Sequence, residues 1–274
     1  MVRSLNSGVS GIQQFQTKMD VIGNNIANSS TLAFKSGRAD FEDTFSQTLT
    51  GGITASIQVG SGVATGSVRE LQQQGILTRT NVPTDLGIDG EGYFVVRDPI
   101  ADKSFVTRAG AFDRDKDGYL VTSQGFRVQG YQDPTLASIG DIRIDDTGKP
   151  DGDPGSFKNF SIDVEGHITV HLDVSDTHFT RGQILLQRFQ NPNALVKEGN
   201  NLFSGMEDAG GLAQLSAPKS NGLGEIIAGH LETSNVDLAN EFANLITTQR
   251  GFQASARIIT TTDEMLQEVM NLKR

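Results

Sequence analysis

Two stretches of seven-residue periodicity, one near each end, constrain this chain more than any other feature. Over 232–274, Leu238, Leu245, Phe252, Ile259 and Leu266 recur every seven residues, and Phe242, Ala256 and Met270 fill a second series beside them. Over 4–28, Leu5, Ile12, Met19 and Ile26 keep the same interval, with Gly8, Phe15 and Ile22 as companions. Apolar side chains at that spacing form one stripe along a helix, and the stripe needs a second helix to cover it. Two helices are therefore expected, each seeking a partner in this chain or in another copy of it.

Neither helix is strongly favoured on its own. Gly8, Gly11 and Gly23 sit inside the first, each costing roughly 0.8–1 kcal/mol relative to alanine. The second contains an unbroken β-branched run, Ile258 to Thr262, which loses side-chain freedom in a helix. Burial of the large apolar side chains, worth roughly 1.5–3 kcal/mol each, has to supply what local propensity lacks. Both ends are thus expected to order on assembly. Ser234, Asp237 and Glu241 suit the start of the second helix, and Lys273 and Arg274 its end. Gln249 and Asp263 interrupt the second apolar series and read as its solvated edge.

From about Gly75 to Phe203 the period changes to two. Candidate strands are Tyr93–Val96, Phe105–Arg108, Tyr119–Thr122, Phe126–Gly130, Ile142–Ile144, Ile168–Leu172 and Ile184–Phe189, separated by Gly, Asp and Pro clusters. An antiparallel β domain is expected there. The fold class is α+β, with the two terminal helices paired as a coiled-coil-like layer and a central, mainly antiparallel β domain. The division read from the sequence is 1–35 with 230–274 as a helical assembly domain, 36–75 as a connector, and 76–229 as the β-rich middle. Within the connector, residues 50–66 are small and Gly-rich and read as an extended, adaptable segment, preceded by an amphipathic patch through Phe45 and Leu49.

Composition excludes several classes of function. A net charge of −10 opposes non-specific nucleic-acid binding, which needs a basic face. The longest apolar runs are only a few residues, so no membrane insertion is expected. Cysteine is absent, which removes disulfides and thiolate metal sites. The N-terminus lacks the apolar core and cleavage site of a secretory signal.

Chemistry-bearing candidates are few. Asp113, Asp115, Asp117 and Gly118 match the opening of a calcium-binding loop, but the twelfth position holds Gln124 and the flanks alternate like strands. A hairpin turn explains the same residues. Asp145-Asp146 and Asp151-Gly152-Asp153 read as solvated turns. His167 and His171 share a strand face but stand roughly 13 Å apart, too far for one zinc ion. No catalytic, cofactor or metal residue is assigned, and no enzyme is expected.

The motifs themselves resemble a known family. Asp20-Val-Ile-Gly-Asn-Asn-Ile-Ala-Asn-Ser-Ser-Thr31, followed by Phe34-Lys35-Ser36-Gly37-Arg38-Ala39-Asp40-Phe41, is similar to the N-terminal signature of bacterial flagellar rod and hook proteins. So are Gly87 to Val96, Thr107 to Phe112 with Gly118 to Thr122, Leu231 to Phe242, and Gln249-Arg250-Gly251-Phe252. The resemblance implies a subunit exported through the flagellar type III apparatus, which then polymerises helically into the hollow hook or rod that transmits motor torque. Its implied partners are further copies of itself and adjacent rod, hook or junction proteins. The expected assembly interface is Leu5, Ile12, Phe15, Met19, Ile22 and Ile26 packed with Leu238, Phe242, Leu245, Phe252, Ile259 and Leu266, within and between subunits.

Within the family, Ser36 to Phe41 and the terminal Asn271-Leu272-Lys273-Arg274 look like the hook protein, and the hook reading is taken. The short length and single β domain look more like the distal rod protein, which stands as the alternative. Outside the family, the rival is a secreted calcium- or glycan-binding β domain with a coiled-coil tail.

Overall fold

A computed structural model of the chain describes residues 2–44, 47–51, 55–145, 156–173, 177–211 and 215–272. Phe45, Asp146, the acidic turn at 151–155 and the terminal Lys273 and Arg274 lie outside them. Among the described residues the order begins with helix α1 (Val2–Ala27) and strands β1 (Gly37–Asp43), β2 (Gln47–Gly51), β3 (Ala55–Val59) and β4 (Val63–Glu70). It continues with β5 (Leu77–Arg79), β6 (Leu86–Asp89), β7 (Tyr93–Arg97), β8 (Ser104–Thr107), β9 (Phe112–Arg114), β10 (Leu120–Thr122), β11 (Arg127–Tyr131) and β12 (Ile139–Asp141). Then come β13 (Phe157–Ile162), β14 (His167–Leu172), β15 (His178–Ile184), β16 (Leu186–Gln187), β17 (Val196–Gly199), β18 (Leu202–Ser204), β19 (Glu225–Ala228), β20 (His230–Glu232) and helix α2 (Leu238–Leu272). This is an α+β chain whose strand pairs are all antiparallel among the described ladders.

The chain divides into two compact units. One comprises Met1–Ser29, Lys35–Leu71 and Val236–Arg274; the other comprises Ser30–Phe34 and Gln72–Asn235.

The second unit holds the main sheet, whose principal path runs β13-β14-β15-β11-β7-β8-β18-β17. Strand β7 lies in its middle and is buried on both faces. Phe94 and Val96 enter one apolar cluster, and Tyr93 and Val95 enter another, as the period-two geometry of a strand requires. Phe94 meets Phe112 edge to face at 5.2 Å between ring centres. The expected strand at Ile142–Ile144 is not a regular ladder. Ile142 donates to Val128 O (2.9 Å) and accepts from Leu120 N (3.1 Å), while Ile144 donates to Gly118 O (2.7 Å). Its backbone therefore stitches two strands together without forming a third.

Asp115 to Tyr119 forms a tight turn between β9 and β10. Asp115 N donates to Tyr119 O (2.9 Å), Gly118 N donates to Asp115 O (2.8 Å), and Gly118 takes φ +88°. Asp145, expected in a solvated turn, is instead buried. Its carboxylate accepts from Arg181 Nε at 2.8 Å and lies 2.9 Å from Arg143 Nε. A carboxylate removed from water requires such partners, which single-residue polarity does not reveal.

In the first unit, the stretch expected to be an extended connector is largely paired strand. β1 pairs with β4 from Gly37↔Glu70 to Asp43↔Val63, and β2 pairs with β3. A two-stranded ribbon satisfies its backbone without needing an apolar core of its own. α1 lies against it. Asn25 donates to Gly37 O and accepts from Gly37 N, both at 2.8 Å, so its side-chain amide acts as one more rung of the ladder. Ser10 Oγ accepts from Val63 N at 3.4 Å, and Gln14 accepts from the Thr65 hydroxyl.

Asp40 sits across the ribbon from Arg69 and also meets Arg38. The Arg69 hydrogen bonds, then that from Arg38, hold its carboxyl below the usual aspartate range. Because the folded value is depressed, the contribution is present above the unfolded value of about 3.9 and is lost as pH falls through the folded one. An NMR titration of the Asp40 carboxyl is expected to give a midpoint below about 3.9. A midpoint at or above that value would remove the pairing.

Candidate assembly site

Helices α1 and α2 pack antiparallel. Gly8 lies opposite Ile259 and Ser255, Gly11 opposite Ser255, and Gly251 opposite Phe15. A Cβ at Gly8 would fall 3.0 Å from Ile259 Cγ1, and one at Gly251 would fall 2.6 Å from the Phe15 ring. The glycines read from the sequence as weak points at 8 and 11 are therefore places of close approach, together with Gly251. Small residues at a helix crossing let the larger neighbours seat themselves.

The expected residues divide into three groups. On α1, Ile22 is buried, and Leu5, Ile12, Phe15, Met19 and Ile26 are half-buried. On α2, Leu245, Phe252, Ile259 and Leu266 are half-buried. Leu238 and Phe242 are exposed, at 43% and 50%. The apolar series of Phe242, Ala256 and Met270 is thus not the companion of the buried stripe, since Met270 is 73% exposed. Gln249 and Asp263, at the edge of that series, are exposed as well.

The companion stripe is made of hydroxyls that sequence reading passed over. Thr248 and Thr262 are each 2% exposed, and Ser255 between them faces Gly8 and Gly11. Their signal was present, because 248, 255 and 262 also recur at seven, three residues after 245, 252 and 259. It was hidden by polarity. Inside a helix a threonine can satisfy its hydroxyl on the preceding turn, and Thr248 donates to Asn244 O and Thr262 to Ile258 O, both at 2.6 Å. The methyl group is then free to pack.

The start of α2 is capped by Asp237, one of the residues expected there. Asp237 Oδ1 accepts from Ala239 N at 2.9 Å and from Asn240 N at 3.3 Å. At the other end, the observed pairing carried forward residue by residue brings Val2 level with Glu264. Residues 265–272 therefore run past the start of α1 by about 12 Å, at about 1.5 Å per residue.

The pair leaves much apolar surface uncovered. Leu238, Phe242 and Ile246 are exposed at intervals of four, and Ile258, Met265 and Val269 are exposed farther along. Relative to the buried stripe, the first three lie on one flank and the second three on the other, at about 100° of turn per residue. Two helices cannot bury three apolar faces.

Comparison with known proteins follows the same three regions. The model described as flagella basal body rod protein matches residues 5–35, and that for the flagellar hook protein FlgE/F/G D1 domain matches 87–170. The flagellar basal body rod FlgEFG protein C-terminal model matches 227–272. The flagellar basal-body rod protein FlgG of Bacillus subtilis is 40% identical over 282 aligned positions, covering the whole of both chains. The chain belongs to the flagellar rod and hook protein family. FlgG of Caulobacter vibrioides is 34% identical, over 99% of this chain and all of that one. The flagellar hook protein FlgE of Borreliella burgdorferi is 26% identical across an alignment of 445 positions, far longer than the 274 residues present here. The rod-named relatives match over the full length of both chains at 34–40% identity, so the distal-rod alternative fits beside the hook reading taken from Ser36 to Phe41 and Asn271 to Arg274.

Proposed function

We propose that this chain is a structural subunit of the flagellar axial structure, of the rod type, located in the basal body. It assembles with further copies of itself into a helical tube and meets adjacent rod, hook or junction proteins at the tube's ends. Export through the flagellar type III apparatus is part of the same reading. The rod and hook names of the relatives support a structural role over an enzymatic one.

The observation that carries this reading is the uncovered apolar surface on both flanks of α2. A helix pair that ended its packing within one chain would present polar residues there. A helix exposing Phe242 on one flank and Met265 on the other is suited to neighbours on both sides. The half-buried state of the Leu245–Leu266 stripe supports the further expectation that the terminal helices gain stability on assembly.

Phe242→Asp tests this directly. Phe242 lies outside the intrachain seam, so the variant is expected to keep the wild-type circular dichroism melt while losing assembly into sedimenting polymer. Polymer formation at the wild-type critical concentration would remove this flank from the interface and sink the reading.

A further inference from the structure

His171, set too far from His167 along the strand to share a ligand with it, has a different neighbour in the sheet. Across the ladder, however, His171 of β14 is directly opposite His178 of β15. Leu172 N donates to Thr177 O at 3.1 Å, so the next pair along, His171 and His178, occupies the non-hydrogen-bonded position of the antiparallel ladder. Side chains are closest at such positions, with Cα atoms about 4.5 Å apart.

The two imidazole rings lie 5.9 Å apart between centres, tilted by 37°. Two imidazoles bound to one cation at about 2.0–2.1 Å per nitrogen would have ring centres roughly 5 Å apart. The rings are therefore within about 1 Å of chelating separation, a distance that side-chain torsions cover. Ser161 of β13 adds an oxygen donor on the same side, its Oγ 3.4 Å from His171 Nε2. The face is open to solvent. Along β14, Ile168, Val170 and Leu172 are buried and His167, Thr169 and His171 are on the outer side, while His178 is exposed.

We propose that His171 and His178, with Ser161 beside them, form a chelating site for one divalent transition-metal cation of the zinc, copper or nickel kind. Neutral imidazole is a good ligand for these ions, whereas magnesium and calcium prefer an all-oxygen shell. Among the described residues there is no cluster of three or more His, Asp or Glu that could hold a metal ion, so solvent would fill the remaining positions. The two ligands come from paired strands, and a bound ion clips those strands together. By mass action it stabilises the folded sheet. The site is in the β unit and owes nothing to the assembly reading.

Isothermal titration of the full chain with Zn²⁺ tests the proposal, beside His171→Ala, His178→Ala and the control His167→Ala. Wild type and the control are expected to bind one equivalent with the same affinity, and each of the other two variants at least 10-fold more weakly. Zn²⁺ should also raise the melting temperature of wild type and not of His178→Ala. The metal-free melts of the variants establish that they are folded. Absence of saturable binding to wild type, or equal binding by the His171→Ala/His178→Ala double variant, would overturn the proposal.

Discussion

Glu232→Ala is expected to destabilise the β unit by about 3–5 kcal/mol, the range for stranding one charge of a buried ion pair. The Glu232 side chain is fully buried, and the Arg108 side chain is only 8% exposed. Arg108 Nη1 lies 3.3 Å from Glu232 Oε2, and Arg108 Nη2 donates to Gly90 O at 2.8 Å. The other carboxylate oxygen accepts from Gly75 N at 2.8 Å. The Glu232–Arg108 pair thereby ties together the segments around residues 75, 90, 108 and 232. Removing the carboxylate leaves a guanidinium in the interior and an unsatisfied backbone N–H. Urea unfolding followed at the tyrosine signals measures the loss. Replacing Arg108 by Met in the same chain should recover part of it, because the stranded charge goes too. A Glu232→Ala chain within about 1 kcal/mol of wild type would mean that the pair is solvated instead.

Glycine substitutions in the terminal helices are expected to change stability in opposite directions. Gly23→Ala should stabilise α1 by roughly 0.8–1 kcal/mol, because a methyl there meets nothing within 4 Å and only helix propensity changes. Gly251→Leu gains a similar propensity term but must place four carbons where the Phe15 ring would stand only 2.6 Å from the first of them. The helices have to separate or Phe15 has to leave. Overpacking of this kind costs about 1–3 kcal/mol, and displacing Phe15 adds part of its burial, so a net loss of about 2–3 kcal/mol is expected. Helical circular dichroism during thermal unfolding of the two variants gives the sign of each. A Gly251→Leu chain as stable as wild type would show that the two helices do not approach closely at Phe15.

Much of the fold could be read from pattern. Seven-residue spacing marks both helices to within a few residues, and alternation marks β7, β8, β11 and β14, because those periods follow from backbone geometry alone. Strands β1 to β4 escaped the same reading. They are mostly polar, and the β1–β4 pair is held by cross-strand hydrogen bonds and by contacts such as Asn25 with Gly37, neither of which leaves an apolar period. Choice of the second stripe on α2 failed for a related reason. Hydropathy selects Phe242 and Met270 over Thr248 and Thr262, yet the first two are exposed and the two threonines, their hydroxyls bonded to the preceding turn, are buried.

The amino-acid sequence by itself determined the helical ends, the β character of the middle and, through its motifs, the flagellar family. Those properties rest on local periodicity and residue identity, which are present before the chain folds. Only the tertiary structure decided which face of α2 meets α1 and which is left outward, that Asp145 is a buried ion-pair partner, and that His171 belongs with His178. Each of these depends on two elements meeting at a particular register. Between strands, a shift of one residue would exchange the buried and exposed sets.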